Sequence, residues 1–221
     1  MTSTKTAPMS RPSGVPGRDC PRCPRLVSFR EHWRELEPEW FNAPVDSFGS
    51  ADARLLVLGL APGLRGANRT GRPFTGDYAG DLLYATLIEF GFARGTYAAS
   101  PDDGLELIDS RISNAVRCVP PENKPTPAEI NTCRDFLAAT LKEMTRLSIV
   151  VALGRIAHET FVSANGERRA QFPFAHGRVH KIGALTLVDS YHCSRYNTNT
   201  GVLTPQMFRD VFAQVRKMLG A

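Results

Sequence analysis

The chain has 221 residues, 42% hydrophobic, 22% charged and 9% aromatic, which excludes collagen-like, coiled-coil and wholly disordered chains. Its length suits one large domain that folds without a disulfide scaffold, and Lys+Arg 27 against Asp+Glu 22 leaves a net charge of +5, a mild pull toward polyanions such as nucleic acid. No run of about 18 apolar residues is available to span a membrane, and five cysteines are too few for a secreted disulfide framework.

Residues 1–18 hold three prolines, no acid and no aromatic residue. They lack the apolar stretch of a secretory signal and read as a disordered tail. A single domain is expected over 19–221, in the cytoplasm, since no targeting signal is recognisable. Beyond the tail, short apolar runs alternate with longer helical patterns. Residues 26–35 read as a first helix, and 54–60 (RLLVLGL) as a strand buried on both faces. Leu82, Leu83, Leu87 and Phe90 give 78–90 helical spacing, and 111–117 (RISNAVR) reads as a second strand. Thr126, Pro127 and Glu129 supply an N-cap, a first-turn proline and a capping-box acid for a helix to 141, with Ile130, Leu137 and Leu141 on one face. Strand 148–153 (SIVVAL), helix 155–162 and strand 185–190 (LTLVDS) follow. Thr204-Pro205 opens a last helix striped with Met207, Phe208, Val211, Phe212, Val215 and Leu219. Strands alternating with helices predict an α/β fold, a three-layer α/β/α arrangement around a central, mainly parallel four-stranded sheet. Ligands then collect beyond the carboxyl ends of the strands, where residues 61–77, 118–127, 154 onward and 191–201 fall.

Four cysteines group as Cys20-x-x-Cys23, Cys118 and Cys133. The CxxC contains Pro21 and is followed by Pro24, a turn that converges two thiolates. Cys118 follows a strand and Cys133 lies near the start of the 127–141 helix, so the four are candidate ligands of one soft metal centre. The spacing leaves zinc and an iron–sulfur cluster both open. A redox CxxC would follow a strand and open a helix, whereas this one precedes every strand. The fifth cysteine, Cys193, stands beside His192, but adjacent residues at a strand end point opposite ways and do not make a nucleophile–base pair.

Residues 59–77 (GLAPGLRGANRTGRPFTGD) carry five glycines with Arg65, Arg69 and Arg72, a loop able to bring backbone and positive charge close to a ligand. Neither GxxxxGK[ST] nor GxGxxG occurs in it. Phe74, in polar surroundings, is either a core plug or a platform for a planar ring. Asp77 is a helix N-cap, a site carboxylate, or both. Asn114, near the end of its strand, can donate and accept together, as the edge of a nucleobase requires, or can merely satisfy backbone groups. Residues 191–201 (YHCSRYNTNTG) mix His192, Ser194, Arg195, Asn197 and Asn199 with little apolar material. His192 is a structural strand-end histidine or a donor to a developing anion.

Together, GLAPG…NRTGRPFTGD, NAVRC-x-PP-x-NKPTP and HCSRYNTNTG resemble the three signature regions of the uracil-DNA glycosylase superfamily. The similarity runs from about Cys20 to the final helix; it is greatest to the family 5 (type b) branch, with the iron–sulfur-bearing family 4 next. The resemblance implies a [4Fe-4S] cluster on Cys20, Cys23, Cys118 and Cys133. It implies Phe74 as the ring that stacks on the extruded base, His192 as the donor to the uracil O2 oxygen, and Asn123 as the residue that holds the hydrolytic water. Asp77, in the TGD signature, is the nearest carboxylate. Family 1 carries a carboxylate or asparagine in the first loop where this chain has Ala61-Pro62, as family 5 does. Asn114 matches the base-reading asparagine of family 4, a position that small residues can occupy in family 5. A roomier site, open to hypoxanthine and to oxidised and etheno pyrimidines, is what the family 5 resemblance implies.

The expected reaction is hydrolysis of the N-glycosidic bond of uracil in DNA, by a monomer whose partner is DNA containing uracil or other deaminated bases. Leu60 and Ala61 would line the base pocket and offer backbone N–H groups to the leaving anion. Arg65, Arg69, Arg72, Ser194, Arg195 and Asn197 would hold phosphates and the gap left in the duplex. Lys124 is the only lysine in these loops and is not placed for a Schiff base, so strand cleavage is not expected. Two other classes fit parts of the pattern: a non-catalytic iron–sulfur nucleic-acid-binding module, and a nucleotide hydrolase using the glycine-rich loop. The first leaves Phe74, Asn123 and His192 without a use, and a metal-dependent hydrolase needs a His/Asp/Glu cluster that the sequence does not assemble.

Overall fold

The computed structural model describes residues 15–220; residues 1–14, most of the expected tail, lie outside the described residues. Pro16 is buried, and the carbonyls of Gly17 and Arg18 accept from Cys20 N and from the Arg34 guanidinium. Packing therefore begins ahead of Asp19.

In chain order the elements are helix α1 (Pro24–Leu36), strands β1 (Phe48–Gly49) and β2 (Leu55–Gly59), and helices α2 (Ala67–Thr70) and α3 (Tyr78–Glu89). Strands β3 (Ala93–Arg94), β4 (Glu106–Leu107) and β5 (Ser110–Asn114) follow, then helix α4 (Pro127–Glu143), strand β6 (Ile149–Leu153) and helix α5 (Arg155–Ala164). Strands β7 (Val179–Ile182) and β8 (Leu185–Ser190) and helices α6 (Arg195–Asn199) and α7 (Pro205–Met218) complete the chain.

The main sheet runs β1-β5-β2-β6-β8-β7. Its four inner strands are parallel and are the four expected from the sequence. Antiparallel β1 and β7 extend it at the edges, giving six strands where four were expected. β7 reads Val179-His180-Lys181-Ile182, with no apolar run to announce it, and joins β8 through a turn at Gly183, whose φ of 58° favours glycine.

Alternation along β2 sorts the two faces of the sheet. Leu55 and Val57 pack with Leu83, Tyr84 and Leu87 of α3 and with Phe208, Val211, Phe212 and Val215 of α7. Leu56 and Leu58 pack with Leu137 of α4 and with Ala157, Phe161 and Val162 of α5. The result is the expected three-layer α/β/α arrangement. Helix starts follow their capping residues: Asp77 for α3, the Thr126–Glu129 capping box with Pro127 for α4, and Thr204 with Pro205 for α7. The chain leaves β2 over one face through α3 and leaves β6 over the other through α5. Adjacent strands whose connections part in this way open a crevice at their carboxyl ends. Among the described residues, no helix is long and apolar enough to cross a membrane.

Candidate active site

A cavity of about 600 Å³ opens at that edge, lined by Leu60 and Ala61 after β2, by Phe74 and Asp77 before α3, by Asn123, and by His192 and Ser194 after β8. The exposed Arg65, Tyr78 and Arg195 stand on its rim.

Phe74 is buried with a left-handed backbone (φ 54°), which is uncommon outside glycine. Tyr97 Oη donates to its carbonyl at 3.2 Å and Tyr84 Oη to the carbonyl of Pro73 at 2.6 Å, so the surrounding packing holds the strained turn. Two glycines make room for it. A Cβ on Gly59 would fall 2.6 Å from Phe74 Cζ and would collide with Asn114 Oδ1; a Cβ on Gly80 would collide with the Phe74 carbonyl. The Phe74 ring centre lies 5.9 Å from that of His192, the planes tilted by 28°.

Asp77 caps α3, its Oδ1 accepting from Gly80 N at 3.2 Å. Its Oδ2 fills the space that side chains at Gly63 and Gly66 would need. Burial raises this carboxyl above the ordinary value, opposed by N–H bonds from Gly80 and Ala79. Burial also holds the His192 imidazole down to about 4, so the ring is neutral at pH 7. Its loop is braced twice: Asn197 Nδ2 donates to the His192 carbonyl at 2.8 Å, and Ser194 caps α6. Beneath it, Asp189 near the end of β8 binds His158 Nδ1 at 2.6 Å and His180 Nε2 at 3.3 Å. Asn123 reaches the cavity from a single 3-10 turn, Pro121–Asn123, in which Glu122 and Asn123 take φ of 54° and 56°. Lys124 pairs with Glu122 at 3.2 Å, and no lysine is among the described residues that line the cavity.

The expected residues divide. Leu60, Ala61, Phe74, Asp77, Asn123, His192, Ser194, Arg65 and Arg195 meet at the cavity. Asn114 does not line it; the buried amide lies behind, next to Gly59 and Phe74, and its Oδ1 has no partner among the described residues. Arg69 is exposed but outside the lining, and the Asn197 amide is used within its own loop.

Arg72 corrects the expectation of a phosphate contact. It is only 5% exposed, forms a bidentate pair with Asp103 at 2.8 Å, and lies over the rings of Phe48, Tyr84 and Tyr97. Its physical role is to pin the loop from behind. Tyr78, unremarked in the sequence beyond its place at the start of a helix, carries the Arg195 guanidinium 5.2 Å from its ring centre. That pairing links distant segments, so no local pattern announces it.

The other cysteines than Cys193 also converge. Cys20, Cys23, Cys118 and Cys133 line a second, smaller cavity walled by Leu26, Val116 and Phe136. Arg117 N donates to Cys133 Sγ at 3.3 Å. Among the described residues no three of these sulfurs lie within 4.8 Å of one another. Burial, then the neighbouring Cys133, pushes Cys23 up to about 11 and Cys118 up to about 12. Burial likewise raises Cys133, and thiols raised in this way favour the protonated form until a metal centre takes them as ligands. Cys193 is fully buried in the main core and donates to the Ala79 carbonyl at 3.5 Å.

The sequence profile of the uracil DNA glycosylase superfamily matches residues 47–216. A type-5 uracil-DNA glycosylase of Thermus thermophilus is 43% identical over 208 residues, covering 91% of this chain and 94% of that protein. One of Pyrobaculum aerophilum is 39% identical over 197 residues, covering 87% and 86%. A type-4 uracil-DNA glycosylase of Thermotoga maritima is 33% identical over 147 residues, covering 66% and 67%. The signature loops thus sit on the fold and around the cavity that their likeness requires, and the chain belongs to the uracil-DNA glycosylase superfamily.

Proposed function

We propose that this protein excises uracil from DNA by hydrolysing its N-glycosidic bond, leaving an abasic site and an uncut strand. The observation that carries this reading is the meeting of Phe74, Asp77, Asn123 and His192 on one cavity with no lysine among its described lining residues.

DNA would lie across the rim on Arg65 and Arg195, and the target nucleotide would swing out of the stack into the cavity. The extruded ring rests on Phe74. Asn114 Oδ1, an acceptor with no partner among the described residues, lies behind Phe74 outside the cavity lining and would accept from the N3–H of uracil only after the wall between them shifts. The neutral imidazole of His192 donates to O2 as negative charge gathers on the leaving base. Asn123 holds a water against the sugar, and Asp77 faces the cation-like carbon. The water oxygen bonds to C1′ as the C1′–N bond breaks; the electron pair departs with the base and the water proton passes to the Asp77 carboxylate. At about 600 Å³ the cavity lies within the usual range of roughly 300–1,000 Å³ for small-ligand sites. Hypoxanthine and other damaged bases are therefore included in the proposal. One chain supplies every group named, so the reaction needs no second subunit.

Cys20, Cys23, Cys118 and Cys133 are proposed as ligands of a [4Fe-4S] cluster. Soft donors with apolar walls fit it, and the sulfurs stand farther apart than one zinc ion at about 2.3 Å from each would hold them. Bound there, the cluster supplies a cross-link between the segment ahead of α1, the loop after β5 that carries Asn123, and α4.

Incubation with duplexes holding one uracil or one hypoxanthine opposite a pyrimidine or purine partner, followed by hot alkali, tests the reading. Cleavage at the lesion only after alkali is expected. Intact strands after alkali on every damaged base would refute it, and cleavage before alkali would refute the strand-sparing part.

A further inference from the structure

Besides its four cysteines, the second cavity is lined by Arg22, Arg30 and Arg117 and, among the described residues, by no acidic one. Arg30 and Arg117 are 3% and 1% exposed. Arg30 bonds to the Cys20 carbonyl, and its Nη1 lies 3.9 Å from Cys118 Sγ. Arg117 bonds to the hydroxyls of Ser47 and Thr140, and its own backbone N–H holds Cys133 Sγ. Neither guanidinium has a carboxylate in salt-bridge contact among the described residues, and the buried Nε of each has no partner there. Asp19 acts on Arg30, and Asp46 and Glu143 on Arg117, only through space.

A buried cation without a counter-charge is among the most unfavourable arrangements in a protein interior. Both arginines line the cavity that holds the four thiols, and an anion there would offset their charge. Four thiolates around a dicationic cluster core leave two negative charges, the number that two arginines neutralise. We infer that Arg30 and Arg117, with Arg22 at the rim, are the counter-cations of the cysteine-held group, and that Arg30 sets its reduction potential through Cys118. This rests on the cluster reading proposed above. Potentials of such groups follow net charge and hydrogen bonds to the sulfurs, so removing a cation and a donor makes an added electron less welcome.

The test compares full-length wild type, Arg30→Met, Arg30→Lys and Arg22→Met for iron per chain, absorbance near 400 nm, and reduction midpoint on an electrode. The expected order of midpoints is wild type and Arg30→Lys highest, Arg22→Met lower and Arg30→Met lowest. Arg22 is partly exposed and already paired with Asp135, so its smaller shift reads the same charge effect in a variant that keeps its fold. Loss of iron from Arg30→Met but not from Arg30→Lys supports the same conclusion. Full iron with unmoved midpoints in Arg30→Met and Arg22→Met overturns the counter-cation role alone. Equal iron loss from Arg30→Met and Arg30→Lys also overturns it, because shape and not charge would then matter. Wild type without iron overturns the cluster reading and the inference with it.

Discussion

Asp77 does two jobs with two oxygens. One closes the first turn of α3, and the other stands in the hollow left by Gly63 and Gly66. Asparagine caps a helix as well as aspartate does, so Asp77→Asn removes the charge and keeps the cap. Because burial raises the carboxyl, its ionised form disfavours the fold at neutral pH, a penalty that disappears as pH falls through the raised value. Asp77→Asn is therefore expected to unfold at a temperature no lower than wild type at pH 7, while excision slows by on the order of 100-fold. The acid side of the wild-type kcat/KM profile falls with an apparent pKa above the ordinary aspartate value. In Asp77→Asn that limb vanishes, leaving only protonation of His192 at about 4. Calorimetry and a pH series of single-turnover rates check both halves. At this scale the sequence was informative about residue types and silent about their neighbours. Asp77 as a cap followed from local spacing, but Asn114 behind the pocket wall and Arg72 away from it depend on contacts made across the fold.

At the scale of elements, the loop between β2 and α3 is held by a buried ion pair that the sequence disguises. Arg72 reads as one of three loop arginines, yet its charge is matched by Asp103, whose carboxyl the guanidinium holds far below the usual range. Arg72→Met leaves Asp103 buried and unpaired and is expected to lower stability by about 3–5 kcal/mol in denaturant titrations. The pair's contribution is present above the ordinary aspartate pKa and is lost as pH falls below it, so the difference between wild type and Arg72→Met narrows in acid. An unchanged midpoint in Arg72→Met would show the pair to be incidental. The inner strands and the capped helices were legible because each announces itself within a few residues. Edge strand β1 was not, because its partner β5 lies far along the chain; β7 was not, because its hairpin with β8 carries no apolar run; and the one-turn helices α2 and α6 are too short to show a helical period.

For the whole molecule, a net charge of +5 becomes informative only once part of it is located. Arg65 and Arg195 stand on the rim of the cavity, whereas Arg30, Arg72 and Arg117 are buried. A phosphate contact through Arg195 predicts that Arg195→Ala weakens binding to undamaged and damaged DNA alike and flattens the plot of log affinity against log salt by about one unit. An unaltered slope would place the phosphates elsewhere. The strand order β1-β5-β2-β6-β8-β7, which sets where the crevice opens, could not be read from the chain, although the alternation of strands and helices located the edge on which it lies.

The most direct measurement is single-turnover excision of uracil from a duplex by wild type, Asn123→Ala, His192→Ala and Phe74→Ala, with DNA binding recorded in parallel. The account predicts alkali-labile sites from wild type and losses on the order of 100-fold or more in Asn123→Ala and His192→Ala, whose binding to undamaged DNA is unchanged. Full-rate excision by Asn123→Ala and His192→Ala would contradict it, and so would a folded wild type that releases no base.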